Sequence, residues 1–164
     1  MQYPSLSELK RDCTELLVDE STTVRRAAEL LLTINVSQLI VRNSSNQLTG
    51  IVAESAVIRE LMNPTGAEVI GRIQSRHVES ARDTASLDAI LPLFRSSCHV
   101  LVPVVNDQNK VTGVVHRSDV VRLLLSDLQD NDPTRADVAG ELTRPNYLRR
   151  QGIRTKRHPD EQQQ

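Results

Sequence analysis

The sequence predicts an α/β (α+β) fold: two β-α-β-β-α repeats packed as a pseudo-twofold pair, followed by a polar C-terminal tail. Three observations predict it. Residues 17–58 recur without a gap at 80–121, so Asn43–Val52 lies on Asn106–Val115, and Leu30, Val41, Ser55 and Val57 fall on Leu93, Val104, Ser118 and Val120. Apolar residues in each copy switch between strand spacing and helical spacing in one shared order. The length, 164 residues, suits one domain or two small units sharing a core.

Leu6 and Leu9 predict a short leading helix within residues 1–15. The first repeat spans 16–64 and opens with a short strand, Leu16 to Val18. Ser21, Thr22 and Thr23 then offer side-chain oxygens for a helix N-terminus. Val24, Ala27, Ala28, Leu31 and Ile34 form one apolar stripe on that helix. Gln38–Arg42 reads as a strand, 43–46 as a turn, and Leu48–Ala53 as a strand with Gly50 inside it. Val57, Ile58, Leu61 and Met62 are the buried face of a second helix, stopped by Asn63 and Pro64.

The second repeat spans 65–127. Val69, Ile70 and Ile73 mark the counterpart of the leading helix. Leu87, Ile90, Leu91 and Phe94 mark the next helix, which Pro92 interrupts; a missing N–H there predicts a kink. Strands at Val100–Val105 and Val111–His116 flank a turn at 106–109, and a helix follows from Asp119 to Leu125. Ser55 and Ser118, shared by both copies, read as N-caps of the closing helices. Residues 128–164 hold too few apolar side chains to fold alone and read as a disordered tail. Asp127, Asp130, Asp132, Asp137 and Glu141 precede Arg144, Arg149, Arg150, Arg154, Lys156 and Arg157, so the tail reads as charge-segregated.

Composition excludes several function classes. Tyr3, Phe94 and Tyr147 are the aromatic residues and there is no Trp, so the core is aliphatic and no ring platform exists for stacking single-stranded bases. A net charge of −1 draws in neither nucleic acid nor membrane. No apolar run approaches the roughly 20 residues of a membrane helix. The start shows no basic region followed by an apolar stretch, which predicts no signal peptide. Cys13 and Cys98 lie outside any metal-ligand spacing and read as reduced thiols of a cytoplasmic protein. His77, His99, His116 and His158 show no metal spacing, neither Cys has an evident base, and no Gly-rich phosphate loop is present. No enzyme activity, metal or obligatory cofactor is expected. The cluster Arg144–Arg157 leaves a phosphate or acidic partner open, but such a run reads first as a solvated surface, so nucleic acid is not expected.

Val102-Pro103-Val104-Val105-Asn106-Asp107, followed by Gly113-Val114-Val115-His116-Arg117-Ser118-Asp119-Val120, resembles a cystathionine-β-synthase (CBS) domain. Leu39-Ile40-Val41-Arg42-Asn43, followed by Gly50-Ile51-Val52-Ala53-Glu54-Ser55-Ala56-Val57, is a looser match that the repeat offset secures. Together they cover about residues 14–126, so the chain resembles a tandem CBS pair, a Bateman-type regulatory module. The resemblance implies packed sheets, a homodimer, and adenosine-containing ligands (AMP, ADP, ATP or S-adenosylmethionine) in clefts between repeats. With no catalytic domain alongside, it implies a stand-alone regulator acting on an unidentified partner in trans. The alternative is a degenerate pair without ligand, serving as a dimerisation or docking scaffold.

In the family's ligand motif a Thr or Ser three residues after the glycine reaches phosphate, and an Asp six after holds the ribose hydroxyls. Asp119 fills the second slot and His116 stands in the first, where copy one has Ala56 and Ala53. The resemblance therefore places one site at the repeat-two cleft. Asp119 would take the ribose, His116 and Arg117 the phosphate, with Ser118 beside them, Pro103 in the cleft backbone and Ser80 at the adenine end. A carboxylate accepts from both vicinal hydroxyls, and each charged hydrogen bond contributes about 1.5–3 kcal/mol. Free N–H groups at the helix start would face the phosphate. Plainer roles exist for each residue. Asp119 suits a first helical turn through the dipole, though His116 in place of Ser or Thr denies it a full capping box. His116 also reads as an exposed strand-end side chain; protonated near its reference pKa of about 6.5, it would tie phosphate binding to pH.

Overall fold

The alternation of each repeat becomes a three-stranded sheet in the computed structural model, which describes residues 3–63, 65–95 and 100–130. The tail from 131 on, with its basic cluster, lies outside the described residues, as do Cys98 and His99. Tyr3–Val120 forms one compact unit.

In the first copy β1 (Leu17–Asp19) runs parallel to β2 (Gln38–Arg42), which pairs antiparallel with β3 (Leu48–Ala53). Helices α2 (Val24–Ile34) and α3 (Glu54–Leu61) cover the sheet. Val24, Ala27 and Leu31 of α2 are buried with Leu39, Val41, Val52 and Val57, as their helical and strand spacings require. Thr23 caps α2 by accepting the Arg26 N–H at 3.1 Å. The helix ends at Asn35, whose φ of 58° is left-handed, a conformation Asn tolerates better than most residues. In the two hairpin turns Asn46 and Asn109, equivalent across the repeat, take φ of 62° and 60°.

The second copy repeats the order with β4 (Ala81–Arg82), β5 (Leu101–Val105) and β6 (Val111–His116), then α5 (Arg117–Asp130). Both hairpins carry an irregularity just after the glycine pair, Val41 opposite Gly50 and Val104 opposite Gly113. One difference follows from Pro103. In copy one the parallel ladder starts at Leu17 opposite Ile40, whereas in copy two it starts one position later, at Ala81 opposite Val104. Pro103 stands in the place of Ile40 and has no N–H to give to the ladder. Ser80 is thereby left outside the strand and exposed.

Three expectations are corrected. Of Val57, Ile58, Leu61 and Met62, expected as the buried face of α3, only Val57 is buried, and the other three stand in water because nothing in the described structure packs over that side of the helix. The kinked helix at Leu87–Phe94 is instead a 3₁₀ turn, Leu87–Ala89, followed by a short helix α4, Leu91–Arg95. Pro92 falls in the first turn of α4, where a helix N–H has no partner to lose. Ser55 and Ser118 are not N-caps. Helix α3 begins at Glu54 after Ala53, and α5 begins at Arg117 directly after β6. Each strand runs straight into its helix, and the first helical N–H goes to the residue just before the neighbouring strand: Glu54 N–H to Ser37 O and Arg117 N–H to Val100 O, both 2.9 Å. No loop remains in which a serine could cap.

The leading segments cross over. Helix α1 (Leu6–Leu9) and the residues after it pack on the second copy: Leu6 N–H bonds Ala85 O at 2.8 Å, and Arg11 exchanges two bonds with Val114 at 2.8 and 3.0 Å. The counterpart before the second copy, a 3₁₀ turn at Ile70–Arg72, packs on the first: Ile70 N–H bonds Thr22 O at 2.9 Å, and Ser75 exchanges two bonds with Ile51 at 2.8 and 3.0 Å. Leu6 and Ile70 are both fully buried. Each repeat thus closes the other's sheet. Gly50 and Gly113 permit this approach, since a Cβ would meet Ser75 O and Arg11 O respectively at 2.8 Å. Between the repeats Cys13, Leu16, Ile40, Leu101 and Val114 form a shared apolar cluster. Burial there pushes the Cys13 thiol above its ordinary pKa, keeping it protonated.

Candidate functional site

Because β6 passes without a loop into α5, Asp119 is the third residue of that helix and faces inward, 6% exposed. Its Oδ2 accepts the His116 backbone N–H at 3.3 Å. This is the acidic half of a capping box, formed although the Ser or Thr half is missing. Its Oδ1 pairs with Nη2 of Arg11, whose side chain is 51% exposed. The carboxylate is therefore buried while the guanidinium stands half in water.

Arg11 comes from the leading segment of the other repeat, and the sequence repeat did not reveal it. The segments before the two copies correspond with an offset of 64, one more than the strands, as Leu6/Ile70 and Arg11/Ser75 show by their equivalent backbone bonds. Aligned that way, Arg11 lies over Ser75 as Asp119 lies over Ala56. Lys10 likewise lies over Gln74: Lys10 Nζ donates to Thr112 Oγ1 at 3.0 Å, while Thr49 Oγ1 bonds Gln74 Oε1 at 3.1 Å. The charge pair is present as a pair in one cleft and absent as a pair in the other. In the cleft of copy one, Ala53, Ser55, Ala56, Arg59, Gln74 and His77 help to line an open cavity of about 430 Å³.

The predicted site residues divide accordingly. Asp119, His116, Arg117 and Ser118 share the junction of β6 and α5, and Arg11 joins them. Pro103 is buried in β5 opposite Val114, the residue that bonds Arg11 on its other side. Ser80 is set apart. It follows Val78 and Glu79, which line the cavity of copy one together with Ala53 and Ala56. Among the described residues no group of His, Cys, Asp and Glu could hold a metal ion, and no helix is long and apolar enough to cross a membrane.

His116 is half-buried rather than exposed at the strand end. Burial lowers its pKa below 6.5; Asp119 opposes this and Arg11 adds to it. The imidazole is neutral at neutral pH, so it offers phosphate a hydrogen bond but no charge. A depressed folded pKa means that the unfolded chain binds the proton more readily. Stability from this group is complete above the ordinary value of 6.5 and falls as pH drops below it, until the folded pKa is passed. The melting temperature of wild type is expected to fall more than that of His116→Asn between pH 7 and pH 5. Parallel profiles would show that His116 does not titrate with folding.

Comparison with known proteins agrees with this architecture. The CBS domain family model matches residues 11–63 and 70–126. The solved CBS-pair protein CBSX2 from Arabidopsis thaliana is 25% identical, with a TM-score of 0.67 over 77% of this chain and 96% of that one. A structure of CBSX2 in complex with AMP is 26% identical, with a TM-score of 0.65 over 74% of this chain and 96% of that one. The CBS domain pair of MJ0100, in complex with 5′-methylthioadenosine and S-adenosyl-L-methionine, is 21% identical with a TM-score of 0.64, covering 76% and 98%. An uncharacterized 17.7 kDa protein of Acidianus ambivalens is 21% identical over 109 residues, and the match spans 66% of each chain.

Proposed function

This chain belongs to the CBS domain family, and from that premise we propose that it is a regulatory, non-catalytic pair that senses an adenosine-containing ligand at the Asp119 cleft and acts on a partner protein in trans. One observation carries the reading. The same scaffold folds around Ala56 and Ser75 in copy one and around Asp119 and Arg11 in copy two, so the buried carboxylate is not a requirement of the fold. A carboxylate that the fold does not need, set at a strand-to-helix junction, suits a ribose diol. The complex of the related CBSX2 with AMP supports an adenine nucleotide.

Melting curves with AMP, ADP, ATP, S-adenosylmethionine and NAD test it. Ligand at 100 times its dissociation constant adds about 2.7 kcal/mol, a rise of several degrees. No rise with any of them removes the sensor reading. The competing reading is a ligand-free docking scaffold, favoured by the partner that Asp119 already has in Arg11; it predicts flat curves throughout.

The assembly we propose is a homodimer through the outer face of α2 and α3. Leu32, Ile58, Leu61 and Met62 are exposed on this side of the first repeat, and Leu32, Ile58 and Leu61 border a groove of about 470 Å³. A second copy burying this face would remove that apolar surface from water. Sedimentation should show a dimer that becomes a monomer in the Leu32→Glu, Leu61→Glu double variant. A monomeric wild type would exclude this assembly.

A further inference from the structure

We propose that Arg11 reads the charge of the ligand at the Asp119 cleft: it neutralises the carboxylate beforehand and turns to the ligand's phosphate once ribose hydroxyls take over Asp119. The inference rests on the adenosyl-ligand reading above and narrows it to one class, adenine nucleotides bearing a phosphate, in preference to neutral adenosine and cationic S-adenosylmethionine.

Asp119 is 6% exposed and holds Arg11 by Oδ1, so an arriving ribose must replace those guanidinium donors with its own. A vicinal diol supplies two hydrogen bonds but no positive charge, and a buried carboxylate losing its counter-charge is costly unless the displaced cation finds another anion nearby. Arg11 is built to make that exchange. Its backbone is pinned to Val114 by two hydrogen bonds, while its side chain, 51% exposed, is free to reorient. The planar guanidinium matches phosphate oxygens as well as it matches a carboxylate. His116 does not substitute for it, because burial keeps the imidazole neutral near pH 7. Adenosine would displace Arg11 and offer its charge nothing in return. S-adenosylmethionine would bring a sulfonium cation toward it.

The cleft of copy one, with Ser75 and Ala56 in these two places, shows that the charges come and go together. It also supplies a control variant, since the Arg11→Ser, Asp119→Ala pair recreates a combination this scaffold already accommodates.

Calorimetric titration of wild type, Arg11→Gln, Arg11→Lys and the Arg11→Ser, Asp119→Ala variant with AMP, adenosine and S-adenosylmethionine tests the proposal. Wild type should bind AMP about tenfold or more tighter than adenosine or S-adenosylmethionine. Arg11→Gln should bring AMP and adenosine within about threefold of each other. Arg11→Lys should keep an intermediate preference, and the double variant should fold and bind none of the three. Should Arg11→Gln not fold, the wild-type order and the Arg11→Lys ratio still decide. Equal wild-type affinity for AMP and adenosine, or an unchanged ratio in Arg11→Gln or Arg11→Lys, overturns the role of Arg11 while leaving the sensor reading intact. Absence of binding by wild type to all three overturns both.

Discussion

Asp119→Ala is expected to erase the AMP-induced rise in melting temperature while moving the unliganded melting temperature by only a few degrees. The two effects separate because the residue's structural and binding roles differ in size. Structurally, the contacts the substitution removes include an ion pair whose guanidinium is half in water and a 3.3 Å bond to the His116 N–H. Such losses amount to about 1–3 kcal/mol, and copy one folds with Ala56 in the equivalent place. For binding, the substitution removes the acceptor for both ribose hydroxyls, each bond contributing about 1.5–3 kcal/mol. Ligand stabilisation at a concentration that saturates wild type should therefore vanish. A rise that survives the substitution unchanged would leave a nucleotide binder and take the site away from Asp119.

Leu6→Ala is expected to lower stability by about 2–5 kcal/mol, the cost of truncating a fully buried leucine. Against a total of about 5–15 kcal/mol for a domain, that is a loss of roughly 10 °C in melting temperature. Leu6 is 0% exposed and belongs to the segment that closes the second sheet by the bonds Leu6 N–H to Ala85 O and Arg11 to Val114. Ile70→Ala, its mirror image in the first sheet and also 0% exposed, should cost a similar amount. Affinity distinguishes the two. Leu6→Ala loosens the segment that carries Arg11 and should weaken AMP binding; Ile70→Ala should leave it close to wild type. A Leu6→Ala protein melting within about 2 °C of wild type would contradict the crossed arrangement of the leading segments. Equal losses of affinity would contradict the assignment of Arg11 to the Asp119 cleft.

The regular elements were readable because each is short-range. Gln38–Arg42, Leu48–Ala53 and Val111–His116 are strands with the expected bounds, since alternation and flanking turn residues act within a few positions. The helix ends were less readable. Ser55 and Ser118 have the chemistry of caps, but Ser37 O and Val100 O, brought in by neighbouring strands, satisfy the first helical N–H groups instead. Pro92 was a visible break whose outcome, two short pieces instead of one kinked helix, depended on packing. Of the tail expected from 128 on, residues 128–130 belong to α5 and the rest lie outside the described structure.

For the site, the sequence by itself determined the repeat, the family resemblance and the asymmetry at Ala53/His116 and Ala56/Asp119. These need only the comparison of two aligned copies of one scaffold. Tertiary structure alone decided what Asp119 touches. A carboxylate is paired by whatever the fold brings within a few ångströms, and here the crossing of the leading segments brings Arg11 from 108 positions away. Within a repeat proteins align by sequence, but across a cleft charges pair by distance.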